Sequence, residues 1–153
     1  MSVTGSDLLA GDLHALVGGL DAAAERLLQS EFGVTHSQLA FLMPLLQTTE
    51  LDVSTLAAAT GVSVPAVSKR VTWFTARGLV RARHPHDSAK RVVLSLTPKG
   101  RRLATAASTR LGQRLDELLA AWPIERRDLF HELVLEVTDL VARIDGVDDE
   151  ESA

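Results

Sequence analysis

Residues 55–74 read TLAAATGVSVPAVSKRVTWF, and this stretch decides the fold. Ser54 is placed to cap a short helix, Thr55 to Thr60, which Gly61 stops. Ser63 caps a second helix, and Pro65 sits in its first turn, where a missing N–H costs little. Val67, Val71 and Phe74 fall at i, i+4 and i+7 and form the buried face. Ala57 is small enough for two helices to cross closely. Gly61, four residues on, fits a tight turn, and Val67 fills the space between the helices. The order helix, glycine turn, helix predicts a helix-turn-helix. A plain αα-hairpin would share that corner, but the outward face of the second helix argues for more. It presents Ser63, Ala66, Ser68, Lys69 and Thr72, all small, hydrogen-bonding or basic. Such residues suit a helix that enters a groove about 12 Å wide.

Downstream, Val80–Arg83 and Val92–Leu96 predict two strands, with positions 92, 94 and 96 on one face. The polar stretch from His84 to Arg91 makes them a hairpin with a basic outer face. Arg81 and Arg83 project from its first strand, and Lys90 and Arg91 lie near its turn. Asp87 is read either as a brace for Arg91 or Lys90, or as a turn aspartate that satisfies its own backbone.

The charge map agrees. The chain has 153 residues and a net charge of −4. Residues 61–102 carry ten basic side chains and one acid, Asp87, whereas residues 1–60 are net −6 and residues 103–153 net −7. A basic middle between acidic ends is the footprint of a nucleic-acid contact within an acidic protein.

The flanks read as helices. From Ser6 to Glu31, Leu9, Leu13, Leu16, Leu20, Ala23 and Leu27 form a heptad stripe. Thr35 with Gln38 is a capping box for a helix to about Thr48, in which Pro44 predicts a kink. Leu51 to Val53 is read as a short strand. Thr97-Pro98 opens a long helix to about Ala121, with Leu103, Ala107, Leu111, Leu115 and Leu118 on one stripe. A last helix follows Pro123, with Phe130, Leu133, Val137, Leu140 and Ile144 in line. The fold class expected is mainly α with a small β-hairpin wing, in the order α-α-α-α-β-β-α-α. The expected domains are a dimerisation helix over 1–34, a winged lobe over 35–100, dimerisation helices over 101–145 and a disordered acidic tail over 146–153. The two apolar stripes are wider than one monomer core needs, which predicts a homodimer.

Several chemistries are excluded or disfavoured. With no cysteine there is no disulfide, thiol switch or zinc ribbon. The longest apolar run, Leu39 to Leu46, is too short to cross a bilayer. The first basic residue is Arg26, so no signal peptide is expected and the location expected is cytoplasmic. His84, His86 and Asp87 resemble a metal cluster but lack a further ligand, so no metal and no cofactor is expected. No catalytic triad or phosphate loop is present, and the chain is not expected to be an enzyme. His14 and His36 are candidates for lining a ligand pocket. Trp73 is expected under the wing, and Trp122 is expected to cap the dimer helices.

Leu56-Ala57, Gly61-Val62-Ser63, Val67-Ser68-Lys69, Gly78-Leu79-Val80 and Leu96-Thr97-Pro98-Lys99-Gly100, in this order and spacing, resemble the winged helix-turn-helix of the multiple antibiotic resistance regulator (MarR) family. With the flanking helices, the resemblance covers nearly the whole chain. It implies a homodimeric transcriptional regulator, usually a repressor, on a pseudo-palindromic operator in double-stranded DNA. It also implies release by a small aromatic or anionic effector. The DNA-contacting set expected is Ser63, Pro65, Ala66, Ser68, Lys69, Arg70, Thr72, Arg77, Arg81, Arg83, His86, Lys90 and Arg91. Two departures stand out. The wing turn is one residue longer than the family's pattern, so the minor-groove residue is Lys90 or Arg91. Arg70 stands where an aliphatic residue is common, which predicts a snorkelling contact to phosphate. A winged-helix module that binds an acidic protein partner is the competing reading.

Overall fold

The computed structural model describes residues 5–85 and 91–147. The elements are α1 (Gly5–Phe32), α2 (His36–Gln47), β1 (Leu51–Asp52), α3 (Val53–Thr60), α4 (Val64–Ala76), β2 (Val80–Arg83), β3 (Val93–Leu96), α5 (Pro98–Leu118) and α6 (Ile124–Val147). Residues up to Leu111 form one compact unit, and residues from Gly112 form another. No helix among the described residues is long and apolar enough to cross a membrane.

Local signals set the helix ends. Thr35 accepts from the Gln38 N–H while the Gln38 side chain accepts from the Thr35 N–H, which completes the capping box of α2. The His36 N–H donates to the Glu25 carboxylate at 2.6 Å and ties α2 back to α1. The α2 helix continues through Pro44. One expected cap is corrected: α3 begins at Val53, with Asp52 rather than Ser54 at its N-cap. The Asp52 carboxylate accepts from the Thr55 N–H at 2.8 Å and from the Thr55 hydroxyl at 3.0 Å. A carboxylate suits the positive end of a helix, and β1 delivers Asp52 to that point directly.

The α3–α4 corner closes through Gly61, whose φ of 65° a side chain would oppose. The Val62 N–H reaches back to the Ala57 carbonyl at 3.2 Å. Leu56, Val67 and Phe74 are buried beneath, and Phe74 stacks on Phe41 of α2 with ring centroids 4.9 Å apart. Burying each such side chain contributes roughly 1.5–3 kcal/mol.

The hairpin is part of a three-stranded antiparallel sheet in the order β1-β3-β2. Leu51 pairs with Leu94 and Asp52 with Val93 on one side, and Arg83 pairs with Val93 and Ala82 with Leu94 on the other. Because β3 is central, Val93 and Leu94 are both buried, and the simple alternation expected of Val92, Leu94 and Leu96 does not hold. Arg83, Val93 and Asp52 stand in one row across the sheet, so their side chains share a face.

Beyond β3 the chain turns a tight corner. The Thr97 N–H donates to the Leu79 carbonyl at 3.0 Å, and its hydroxyl donates to the Gly78 carbonyl at 2.6 Å. The same hydroxyl accepts from the Gly100 N–H, capping α5. Gly100 is buried, and a Cβ built on it would lie 1.9 Å from the Leu79 oxygen. Helix α5 then buries Ala104 and Ala107, and Arg110 pairs with Glu31 of α1 at 3.1 Å.

The outer helices carry apolar side chains that one chain leaves exposed. Among the described residues of α1 the fully buried one is Leu28, one position beyond the expected stripe. Leu8, Leu9, Leu13, Leu16, Val17 and Leu20 are 43% to 61% exposed. Leu115 and Leu118 of α5 are likewise exposed, as are Leu129, Leu133, Val137 and Leu140 of α6. Trp122 sits edge-on to Phe130 at 5.7 Å, with Arg126 over its ring.

Gly100→Ala should lower stability by about 2 kcal/mol or more, since a backbone oxygen cannot yield as a side chain end can. Urea denaturation of the variant beside the wild type measures it.

Candidate nucleic-acid interface

Helix α4 turns Val67, Val71 and Phe74 inward and Ser63, Pro65, Ser68, Lys69 and Thr72 outward. Ala66 is half-buried. The Ser68 hydroxyl donates to the Val64 carbonyl at 3.1 Å, and the Thr72 hydroxyl donates to the Ser68 carbonyl at 3.2 Å. Both hydroxyl oxygens keep lone pairs for an outside donor. Lys69 extends with no ion-pair partner among the described residues. The outward face is therefore small, polar and cationic over about two turns.

Arg70 is half-buried. It lines a cleft of about 460 Å³ with Lys69, Trp73, Thr35, Ser37 and Gln38, between the start of α2 and the flank of α4. Trp73 lines this cleft, packs edge-on against Phe74 and carries the Arg77 guanidinium 3.5 Å above its ring. The Arg77 carbonyl in turn accepts from Lys99 Nζ at 3.0 Å.

At the wing, Arg81 is exposed and has no ion-pair partner among the described residues. Arg83 is engaged differently. Its Nε and Nη2 donate to the two oxygens of Glu50 at 3.0 and 2.6 Å, a bidentate pair. Arg91 lies 3.6 Å from Asp52. His86, Asp87 and Lys90, and with them the expected Asp87 brace, lie outside the described residues. Glu50 and Asp52 were missed by the sequence reading. Their signal was available: they are the only acids between residues 32 and 86, two apart, on either side of Leu51.

His36 lines a second cleft of about 590 Å³ with Met43, Pro44, Gln47, Ser108 and Leu111. Its Nδ1 lies 3.5 Å from Asp21. His14 is exposed on α1 and is not among the residues lining this cleft. No group of three or more His, Asp or Glu side chains among the described residues is arranged to hold a metal.

The wing-root carboxylates are perturbed in one direction. The Arg83 hydrogen bond lowers the Glu50 pKa below its ordinary 4.5, helped by the charge of Arg91. The Thr55 N–H and hydroxyl, and then Arg91, lower Asp52 below 3.8. A depressed folded-state value means the stabilisation is complete above the ordinary pKa and is lost as pH falls through the folded value. The small stability difference between wild type and Glu50→Gln should thus be constant from neutral to mildly acidic pH and shrink only below about pH 4.5. Urea midpoints measured across that range check it.

Residues 32–90 match the family model described as MarR family. No curated protein matches the sequence. Among solved structures, a MarR family transcription regulator aligns at 25% identity with a TM-score of 0.77, covering 91% of this chain and 93% of that one. A MarR family protein from Bacillus stearothermophilus aligns at 17% identity with a TM-score of 0.80, covering 92% and 99%. NadR in complex with 4-hydroxyphenylacetate aligns at 22% identity with a TM-score of 0.66, covering 90% and 96%. The helix-turn-helix, the sheet bound to it and the matched segment coincide, and the chain has the winged-helix fold of the MarR family structures that it resembles.

Proposed function

We propose that the chain is a sequence-specific DNA-binding transcriptional regulator, acting in the cytoplasm as a homodimeric repressor of a pseudo-palindromic operator. The observation that carries this reading is the outward face of α4. Ser63, Ser68, Lys69 and Thr72 stand exposed on a helix whose opposite face is locked into the core. Such a helix enters the major groove by its N-terminal half, where small residues allow close approach and Lys69 donates to guanine or phosphate. Arg81 on the neighbouring wing adds a contact beside it.

The exposed apolar faces of α1 and α6 support the dimer. A monomer rarely leaves so many large apolar side chains in water along one helix, and a second copy would cover them. Two lobes on a two-fold axis would meet half-sites roughly 34 Å apart. The acidic ends of the chain would then be kept away from the duplex. The cleft at His36 is of a size that suits a small ligand. NadR binds 4-hydroxyphenylacetate, and an aromatic anionic effector of that class is the ligand proposed for this cleft, with release of the duplex as its effect.

A gel shift comparing the duplex upstream of the protein's own gene with a scrambled duplex tests the reading. Binding should prefer the former and weaken steeply with salt. Lys69→Ala should cost about 10- to 100-fold in specific affinity and less on the scrambled duplex. Equal binding of both duplexes at low salt, with capture of an acidic protein partner, would favour the interaction-module reading instead. For the dimer, Leu16→Asp with Leu133→Asp should reduce the sedimenting species to the mass of one chain.

A further inference from the structure

We propose that Glu50 and Asp52 are positioning residues of the wing, holding Arg83 and Arg91 at its root, so that these two arginines set the hairpin's direction and do not neutralise phosphates. The proposal deepens the DNA-binding reading and rests on it.

Three observations carry it. The first is register. Arg83 of β2, Val93 of β3 and Asp52 of β1 pair in one row across the sheet, and Glu50 and Arg81 lie two residues from members of that row. Residues two apart on a strand share its face. Asp52, Arg81 and Arg83 are thus brought to one side by main-chain pairing, and Glu50, one residue before β1, meets Arg83 there. The second is geometry. Arg83 meets Glu50 with two parallel N–H···O bonds at 3.0 and 2.6 Å. A fork of this kind fixes orientation as well as distance, which a single lysine contact would not. Arg91 approaches Asp52, whose other contacts already cap α3, so the far strand of the hairpin is tied to the helix-turn-helix.

The third is charge placement. Acids within a DNA-facing lobe repel phosphate and reduce affinity. Glu50 and Asp52 are the only two between residues 32 and 86, and each faces an arginine of the wing root. Arg81, on the same face two residues earlier, has no ion-pair partner among the described residues. The strand thus carries one cation directed outward and one directed back to the scaffold. A wing held before binding loses less freedom on meeting the duplex, which is where such a brace would act.

The test has two arms on the full-length chain. In the first, affinity for a mixed-sequence duplex of about 30 base pairs is measured across a potassium chloride series. A side chain that neutralises one phosphate adds about 1 to the steepness of the log–log salt dependence. Arg81→Ala should lower the steepness by that amount and Arg83→Ala should leave it unchanged. Glu50→Gln should raise it, and adding Arg83→Ala to Glu50→Gln should return it to the wild-type value. A steepness that falls equally with Arg83→Ala and Arg81→Ala would overturn the proposal. In the second arm, amide hydrogen exchange of the DNA-free protein is followed along β2 and β3. Exchange should rise several-fold in Glu50→Gln with Asp52→Asn, and the charge-swapped pair Glu50→Arg with Arg83→Glu should restore protection. Unchanged exchange in the carboxamide variant would overturn the brace whatever the DNA result. Raised exchange in a protein that binds no duplex would support the brace and overturn the DNA-binding reading alone.

Discussion

The carbonyl of Leu79 is the point on which the arrangement of the lobe depends. It accepts the Thr97 N–H and stands where a Cβ on Gly100 would be. Four chain segments meet there: the end of α4, the start of β2, the end of β3 and the first turn of α5. The Thr97 hydroxyl links two of them again by bonding the Gly78 carbonyl while it caps α5. The helix proposed to read the groove and the strands of the wing are therefore related by main-chain hydrogen bonds over a few ångströms. Side-chain packing alone would leave that angle softer, because a Leu or Val can change rotamer and a backbone carbonyl cannot.

That corner also explains why much of the fold was legible in the sequence. Thr35 with Gln38, Gly61, Ser63 with Pro65, and Thr97-Pro98 act on backbone groups within about four residues, so a linear reading captures them. What could not be read depends on distant pairing. Strand β1 is two residues long and exists only because it pairs with β3. Its presence moved the α3 cap from Ser54 to Asp52, although both residue types are good caps. It also buried Val93, which an isolated hairpin would expose on its outer face. In α1 the heptad spacing ran through Leu27, whereas the residue that reaches the core is its neighbour Leu28.

The candidate site divides along the same line. Ser68, Lys69 and Thr72 were legible because helical periodicity alone sets them opposite Val67, Val71 and Phe74. Glu50 was not, since its partner Arg83 is 33 residues away. The surroundings of Trp73 were only partly legible for a related reason. Its neighbours, Phe74 and Arg77, are close in sequence, but the cleft it lines is completed by the start of α2.

Counting basic residues in the middle segment overstates the charge that is free to act. Arg77 lies over Trp73, Lys99 donates to the Arg77 carbonyl, and Arg101 donates to the Leu46 carbonyl. These three keep their charge and add to the field of the lobe, but their side chains are committed to fixing it. Arg83 and Arg91 go further, because each faces a carboxylate that cancels its charge at long range. Lys69, Arg70, Arg81 and Arg102 have no ion-pair partner among the described residues, and of these Lys69 stands on the outward face of α4 and Arg81 on the wing strand. A protein of net charge −4 can present a cationic surface to a polyanion only if its acids are kept elsewhere or matched locally. Glu50 and Asp52 are matched locally, by Arg83 and Arg91. The strength of attraction and the direction of the wing are thereby set by different arginines, which lets one change without the other.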